Sequence, residues 1–268
     1  MNLVNKKFNF LIPVINRNLI RLGVNKDGGY VVESQIIKNA DMLISFGIGY
    51  DWSFELDFLK KNNKAGINIY DYTTNIFPYL KNLFKILRRV LTLRSNLRNL
   101  IISFLSLKNY LDFKYNKKIR IYFERVSKKK IHKYDIDIKN IFKRINNKKK
   151  NIILKIDIEE SEYEIISDVI VFKDKISMII IEFHNIEKNI SVFRDKILKL
   201  KEYFEIIHLH GNNHGKINKY YFPDILEITL VRKNDLYKNK KYKLSFPDKK
   251  VDYPNNPNKD DIKFMFKP

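Results

Sequence analysis

The sequence predicts an α/β protein: a seven-stranded, mostly parallel sheet with helices on both faces and an antiparallel last strand. Three observations carry this. Seven short runs rich in β-branched and aromatic residues recur along the 268 residues. Most are separated by segments whose apolar residues fall three and four apart, the period of a helix packed on a sheet. The final connection, "NNHGKINKYYFP", has Gly, Asn and Pro but no helical period, so the last strand returns antiparallel instead of through a crossover.

The first run, "DMLISFG" (41–47), ends in a glycine turn and leads into the helical pattern "WSFELDFLKKN" (52–62). "GINIYDY" (66–72) follows as the second strand and "IRIYFERV" (119–126) as the third. "DIKNIFKRINN" (137–147) is the helix that leads to the fourth strand, "NIILKIDI" (151–158). "SEYEIISDVIV" (161–171) crosses to "ISMIIIEFH" (176–184), and "SVFRDKILKLKEYF" (191–204) crosses to "FEIIHLHG" (204–211). "DILEITLVR" (224–232) closes the set. Strand, helix and strand alternate as in βαβ units, within a single domain over 1–268.

Two stretches depart from the pattern. Residues 73–118 are basic, leucine-rich and too long for one crossover, which predicts an insertion of one or two amphipathic helices acting as a lid, a subunit contact in a homo-oligomer, or a peripheral membrane contact through residues 81–108. The tail from about 234 to 268 is rich in Pro, Asn and charge and predicts at most an ordered wrap.

Composition narrows the classes. With no cysteine there is no thiol nucleophile, disulfide framework or zinc ribbon, and the cytoplasm is the expected compartment. No apolar stretch is long enough to serve as a signal peptide or to span a bilayer. The formal charge of +22 is local: residues 81–150 hold 22 Lys/Arg against 4 Asp/Glu. Such a patch is compatible with nucleic acid, but equally with the Lys-rich drift of an AT-rich genome.

The chemistry-bearing residues gather at the carboxyl ends of the strands, where open α/β sheets bind ligands. Gly47 and Gly49 end the first strand just before a helix, offering bare backbone to a ligand. A dinucleotide site would want a third glycine where Trp52 stands, which counts against NAD. Asp71 ends the second strand 22 residues after Gly49, at the reach expected of an acid accepting from ribose hydroxyls; the alternative is a cap involving Thr73 and Thr74. Asp157 and Glu159 alternate onto one face after the fourth strand, and Glu182 and His184 do so at the end of the fifth. These four could form a proton-accepting site, with His184 as general base, or Asp157, Glu182 and His184 could hold a cation such as Mg²⁺. In "HLHGNNHG", His210 and Asn212 suit hydrogen bonding to a substrate, and a metal at His208 and His210 is the weaker reading.

Taken together, "RLGVNKDGGYVV", "LISFGIGYDWSFE", "ILKIDIEESEYEII", "IIIEFH" and "HLHGNN" with "DILEITLV" resemble the FkbM-type branch of class I S-adenosylmethionine-dependent methyltransferases, over roughly residues 20–232. The resemblance implies a Rossmann-like methyltransferase fold and transfer of a methyl group, usually to oxygen on a sugar or other small polar acceptor. It implies cofactor contacts at Gly47, Ile48, Gly49, Ser53, Asp71 and Tyr72, with the segment Asp27, Gly28, Gly29 and Tyr30 folded over the cofactor. Asp157, Glu159, Glu182 and His184 would form the cleft floor; of these Asp157, Glu182 and His184 are the catalytic candidates, and Glu159, with His210 and Asn212 from the residue pattern above, is a candidate to meet the acceptor. Where the family usually has Gly, this chain has Glu160, so a less tight turn after Asp157 is expected. The substrate expected is a sugar hydroxyl in capsular or surface polysaccharide synthesis. An RNA methyltransferase and a non-catalytic membrane-surface or scaffold protein are the alternatives. The first lacks an Asn/Asp-Pro-Pro-Tyr/Phe stretch and a separate RNA-binding module; the second predicts an empty glycine turn.

Overall fold

A computed structural model of the chain describes residues 2–235 and 241–267. The part of the tail at 236–240 and its last residue therefore lie outside the described residues. The central sheet has seven strands: β1 (Met42–Phe46), β2 (Gly66–Tyr70), β3 (Ile119–Tyr122), β4 (Ile152–Ile156), β5 (Ile176–Phe183), β6 (Phe204–Gly211) and β7 (Leu226–Arg232). Their order is β6-β7-β5-β4-β1-β2-β3, all parallel except β7, which runs antiparallel to both β5 and β6. The strand order reverses between β1 and β4, so their carboxyl ends border a crevice of the kind that holds ligands.

Among the described residues seven α-helices accompany the sheet: α1 (Ser34–Asn39), α2 (Ser53–Lys61), α3 (Phe77–Leu91), α4 (Leu97–Lys114), α5 (Ile138–Lys143), α6 (Glu162–Ile170) and α7 (Ile190–Lys201). On one face α5, α6 and α7 bury Ile141, Ile166, Phe193 and Ile197 against Ile44, Leu154, Ile181 and Ile228. On the other, α1 and α2 bury Ile37, Phe54 and Phe58 against Leu43, Ile153 and Ile180. The strands alternate residue by residue between these cores, as the period of two requires.

On the α2 face the carboxyl ends of the strands turn polar: Ser45, Lys155, Glu182 and Glu227 are all buried there. Glu182 on β5 stands directly opposite Glu227 on β7, which in turn faces His210 on β6. A hairpin, Leu19–Leu22 paired with Tyr30–Glu33, covers this polar stripe, and Thr229 Oγ1 donates to the carbonyl of Val31 beneath it. The segment Asp27–Tyr30, expected from the resemblance to fold over the cofactor, is the tip and first residue of this cover over buried carboxylates.

The structure departs from the sequence reading in three places. The run "IRIYFERV" is not one strand: β3 stops at Tyr122, and Arg125–Val126 leaves the sheet to pair with Asp135–Ile136. Glu124, at the break, turns to Arg144 in a two-pronged ion pair. The tail does more than wrap: Phe264–Met265 pairs with both Asn2–Leu3 and Ser245–Phe246, joining the two ends of the chain.

The third departure concerns the turn after Asp157. Glu159 and Glu160 both take left-handed backbone, φ 51° and 74°, so the turn is as tight as one with glycine. A side chain held there stores strain of order 1 kcal/mol relative to glycine. Glu160→Gly should therefore raise stability by roughly 0.5 kcal/mol or less, once glycine's freer unfolded chain is subtracted. A lower melting temperature for the variant would contradict the strain.

Candidate active site

The glycine turn is held from both sides. Gly47 has φ +69°, and a Cβ added to it would lie 1.8 Å from the carbonyl oxygen of Asp157, so only glycine lets the ends of β1 and β4 close together. Gly49 has φ +52° and nothing within 4 Å of an added Cβ; its open side faces a cavity. Asp71 Oδ2 accepts from the amides of Ile48 and Gly49, both at 2.9 Å, and its Oδ1 accepts from the Thr73 amide and hydroxyl. Burial alone would raise its pKa, but hydrogen bonds from Thr73, Ile48 and Gly49 hold it below the ordinary carboxylate value. Both oxygens are therefore engaged with the turn. Asp71 shapes the cradle and caps Thr73, and it is not a free ribose acceptor in this state.

The cavity beyond measures about 740 Å³. Gly47, Ile48, Gly49, Asp71 and Tyr72 border one part of it, and Lys155, Asp157 and Glu159 another. The hairpin tip contributes Lys26, Asp27 and Gly28. Six carboxylates and three cations line the cavity, in a chain whose net charge is +22. Its field therefore favours a cationic ligand over a polyphosphate.

Lys155 is a site residue that sequence reasoning missed. It is buried, donates to the carbonyl of Gly47 at 3.0 Å, lies 3.7 Å from Glu55 Oε1, and sits 5.0 Å from the centre of the Tyr30 ring. Glu55 in turn accepts from the Ser45 hydroxyl at 2.7 Å. A charged pair thus supports the glycine turn from below. The available signal was its parity: residues 155, 157 and 159 share a strand face, and a lysine inside "IILKI" needs a buried partner.

The three acids and one histidine expected at the ends of β4 and β5 do converge. Tyr30 donates its hydroxyl to Asp157 Oδ2 at 2.8 Å and lies 3.4 Å from Glu182 Oε2. Burial, then the charges of Asp157 and Glu182, raise the Tyr30 pKa well above its usual value, so the phenol keeps its proton. Burial together with the charges of Asp157 and Glu227 pushes the Glu182 carboxyl up to about 8. His184 Nδ1 lies 3.0 Å from Glu162 Oε1, and its Nε2 lies 3.4 Å from Glu182 and 3.5 Å from Glu159. Burial would lower the imidazole pKa, but Glu162 and Glu182 dominate and raise it to about 11.

Carboxylates on both ring nitrogens hold the imidazole protonated at neutral pH in the metal-free site, which counts against its expected part as general base. Its raised pKa stabilises the fold fully below about pH 6.5, the unfolded value, and this stabilisation is lost as pH rises through about 11. The melting temperature of the wild type should therefore fall relative to that of His184→Gln as pH is raised from 7 toward 11. Parallel curves would show that the cluster carries no charge on His184.

Other expected site residues lie elsewhere. His210 is fully buried, with Nδ1 3.1 Å from Glu227 and Nε2 3.2 Å from Asp261, so it locks the tail to the sheet and cannot reach an acceptor. Asn212 is buried and donates to Glu182 Oε1 at 2.9 Å, a positioning contact rather than a substrate contact. His208 pairs with Asp252 of the tail, so the two histidines form no shared metal site. Ser53 accepts from the Val24 amide at 3.1 Å and anchors the hairpin loop to α2. Gly29 packs against Val24 and Arg21, away from the cavity. Asn255 of the tail donates to both Asp27 and Glu227, and so reaches the site from outside the sheet.

A seven-stranded sheet of this order with one antiparallel strand, and a carboxylate-lined cavity at its glycine turn, define a class I methyltransferase fold. The chain matches the Methyltransferase FkbM domain over residues 5–228 and belongs to that family of S-adenosylmethionine-dependent methyltransferases. No curated protein matches it. Solved structures similar to it include an rRNA methylase from Streptococcus thermophilus (10% identity, TM-score 0.39, 74% of this chain and 90% of that one). A fibrillarin pre-rRNA processing protein from Methanococcus jannaschii is 12% identical (TM-score 0.37, 73% and 68%). A precorrin-6y C5,15-methyltransferase from Geobacter metallireducens is 9% identical (TM-score 0.36, 75% and 86%). Likenesses this distant add nothing about substrate.

Proposed function

We propose that the chain methylates a hydroxyl of a small polar acceptor, a sugar of a capsular or surface polysaccharide being the class favoured, with S-adenosylmethionine bound beside the Gly47–Gly49 turn. The observation that carries this reading is the cavity's excess of carboxylates, which suits a sulfonium donor and a neutral, hydroxyl-rich acceptor and repels an RNA backbone.

When bound at the glycine turn, S-adenosylmethionine would supply the methyl group from its sulfonium sulfur and depart as S-adenosylhomocysteine, and Asp157 would take the proton of the acceptor hydroxyl. Asp157 suits that role because it reaches the cavity, while Tyr30 holds its Oδ2 and leaves Oδ1 for the acceptor. Glu182, held by Asn212 and His184, shares the Tyr30 hydroxyl with Asp157, so Tyr30 fixes the spacing of the two carboxyl groups.

The same residues fit a divalent cation that takes the place of the His184 Nε2 proton: Asp157, Glu182 and His184 each offer one ligand atom within 4.8 Å of the others, and Glu162 orients the ring as a carboxylate behind a ligating histidine does. An imidazole donor suits Mn²⁺ or Fe²⁺ better than Mg²⁺. When bound, such an ion would lower the pKa of an acceptor hydroxyl. The test is methyl transfer from labelled S-adenosylmethionine to sugar nucleotides and oligosaccharides, with RNA as a competing acceptor, with and without Mn²⁺ or Mg²⁺. Transfer to a saccharide oxygen supports the reading, and transfer to RNA alone overturns it.

A further inference from the structure

We propose that the α3–α4 hairpin docks the protein on an anionic lipid surface. α3 buries none of its residues. Phe77, Phe84 and Leu91, which recur every seven residues and so share one stripe, are 73%, 64% and 76% exposed. On α4, Leu97, Ile101 and Phe104 form a second exposed stripe. Between the helices Leu93 stands 95% exposed at a left-handed turn, φ 54°. Isolated exposed leucines need no explanation, but this many on one hairpin mark an interaction surface.

Charge identifies the partner. Lys81, Lys85, Arg88, Arg89, Arg94 and Arg98 surround the apolar side chains, and no Asp or Glu occurs between Asp71 and Asp112. Among the described residues none of these six cations forms an ion pair. A second copy of the chain would bring two such unopposed faces together, at a Coulombic cost. Nucleic acid would answer the cations but has no use for bare leucines at the tip, since bases stack on aromatic rings. An anionic bilayer surface takes both, the leucines and phenylalanines entering the acyl boundary while guanidinium groups meet lipid phosphate. No helix among the described residues is long and apolar enough to cross a membrane, so the hairpin would lie on the surface. Trp52, just after the glycine turn, stacks on Phe113 of α4 at 4.9 Å, so the docked hairpin would be coupled to the cavity through packed rings.

The experiment is flotation of the full-length protein with vesicles of phosphatidylcholine alone or mixed with phosphatidylglycerol. The expected result is flotation with the mixed vesicles only, reversed by salt. Replacing the tip leucines together (Leu91→Asn, Leu93→Asn, Leu97→Asn) should lower partitioning roughly tenfold or more, with the circular dichroism spectrum and melting temperature unchanged. Arg88→Gln with Arg89→Gln should also lower it and flatten the salt dependence. Wild-type protein that does not float overturns the proposal. So does undiminished flotation of the folded tip variant, and so does a dimer that the tip variant dissolves while flotation is unchanged. An RNA oligonucleotide bound alike by wild type and tip variant, without flotation, would assign the cations to nucleic acid instead.

Discussion

Gly47→Ala should abolish cofactor binding and destabilise the fold by roughly 3 kcal/mol or more. Two costs act at one atom. The backbone there sits at φ +69°, which a side chain tolerates poorly, and the new methyl would lie 1.8 Å from the Asp157 carbonyl oxygen. That carbonyl cannot retreat cheaply, because the Asp157 amide is bonded to the carbonyl of Phe46 at the end of β1. Relief therefore requires prising apart β1 and β4 where the Gly47 carbonyl accepts from Lys155, and the cradle and its supporting cation would shift together. Gly49→Ala is the informative contrast. It shares the left-handed backbone but meets no atom, so it should fold and lose affinity only as far as its methyl intrudes on the ligand.

Asp157→Asn should lower kcat by about two to four orders of magnitude while leaving cofactor affinity within a few fold. The amide keeps an acceptor for the Tyr30 hydroxyl and nearly the same shape, but it cannot take a proton at neutral pH. His184 cannot substitute for it, since Glu162 and Glu182 keep its imidazole protonated. Single-turnover methyl transfer under saturating cofactor reads this directly. A loss of less than tenfold would move the proton acceptor elsewhere in the cluster.

Much of the fold was legible because it is written in local periodicity: β1, β4 and β5 each alternate between two cores, and α2, α6 and α7 carry apolar spacing of three and four. The convergence of Asp157, Glu182 and His184 followed from the same arithmetic, strand ends of known parity in neighbouring strands. What the sequence hid depends on contacts far along the chain. His210 reads as a strand-end residue suited to hydrogen-bond a substrate until Asp261, 51 residues later, closes over it. Asp71 has the spacing of a ribose partner, but spacing does not reveal that its two oxygens are taken by Ile48, Gly49 and Thr73. Lys155 looked like one polar interruption in an apolar strand, because Glu55 lies on a helix of separate register. The cover over the polar stripe was implied only by the family resemblance, since the hairpin's glycines by themselves describe a turn and say nothing of what lies beneath it.

If the Gly47–Gly49 turn cradles S-adenosylmethionine and Asp157, across the same cavity, acts on the acceptor, calorimetric titration of S-adenosylhomocysteine should show binding to wild type, nearly equal binding to Asp157→Asn, and none to Gly47→Ala. Absence of binding to folded wild type, or equal binding by all three, would contradict this arrangement.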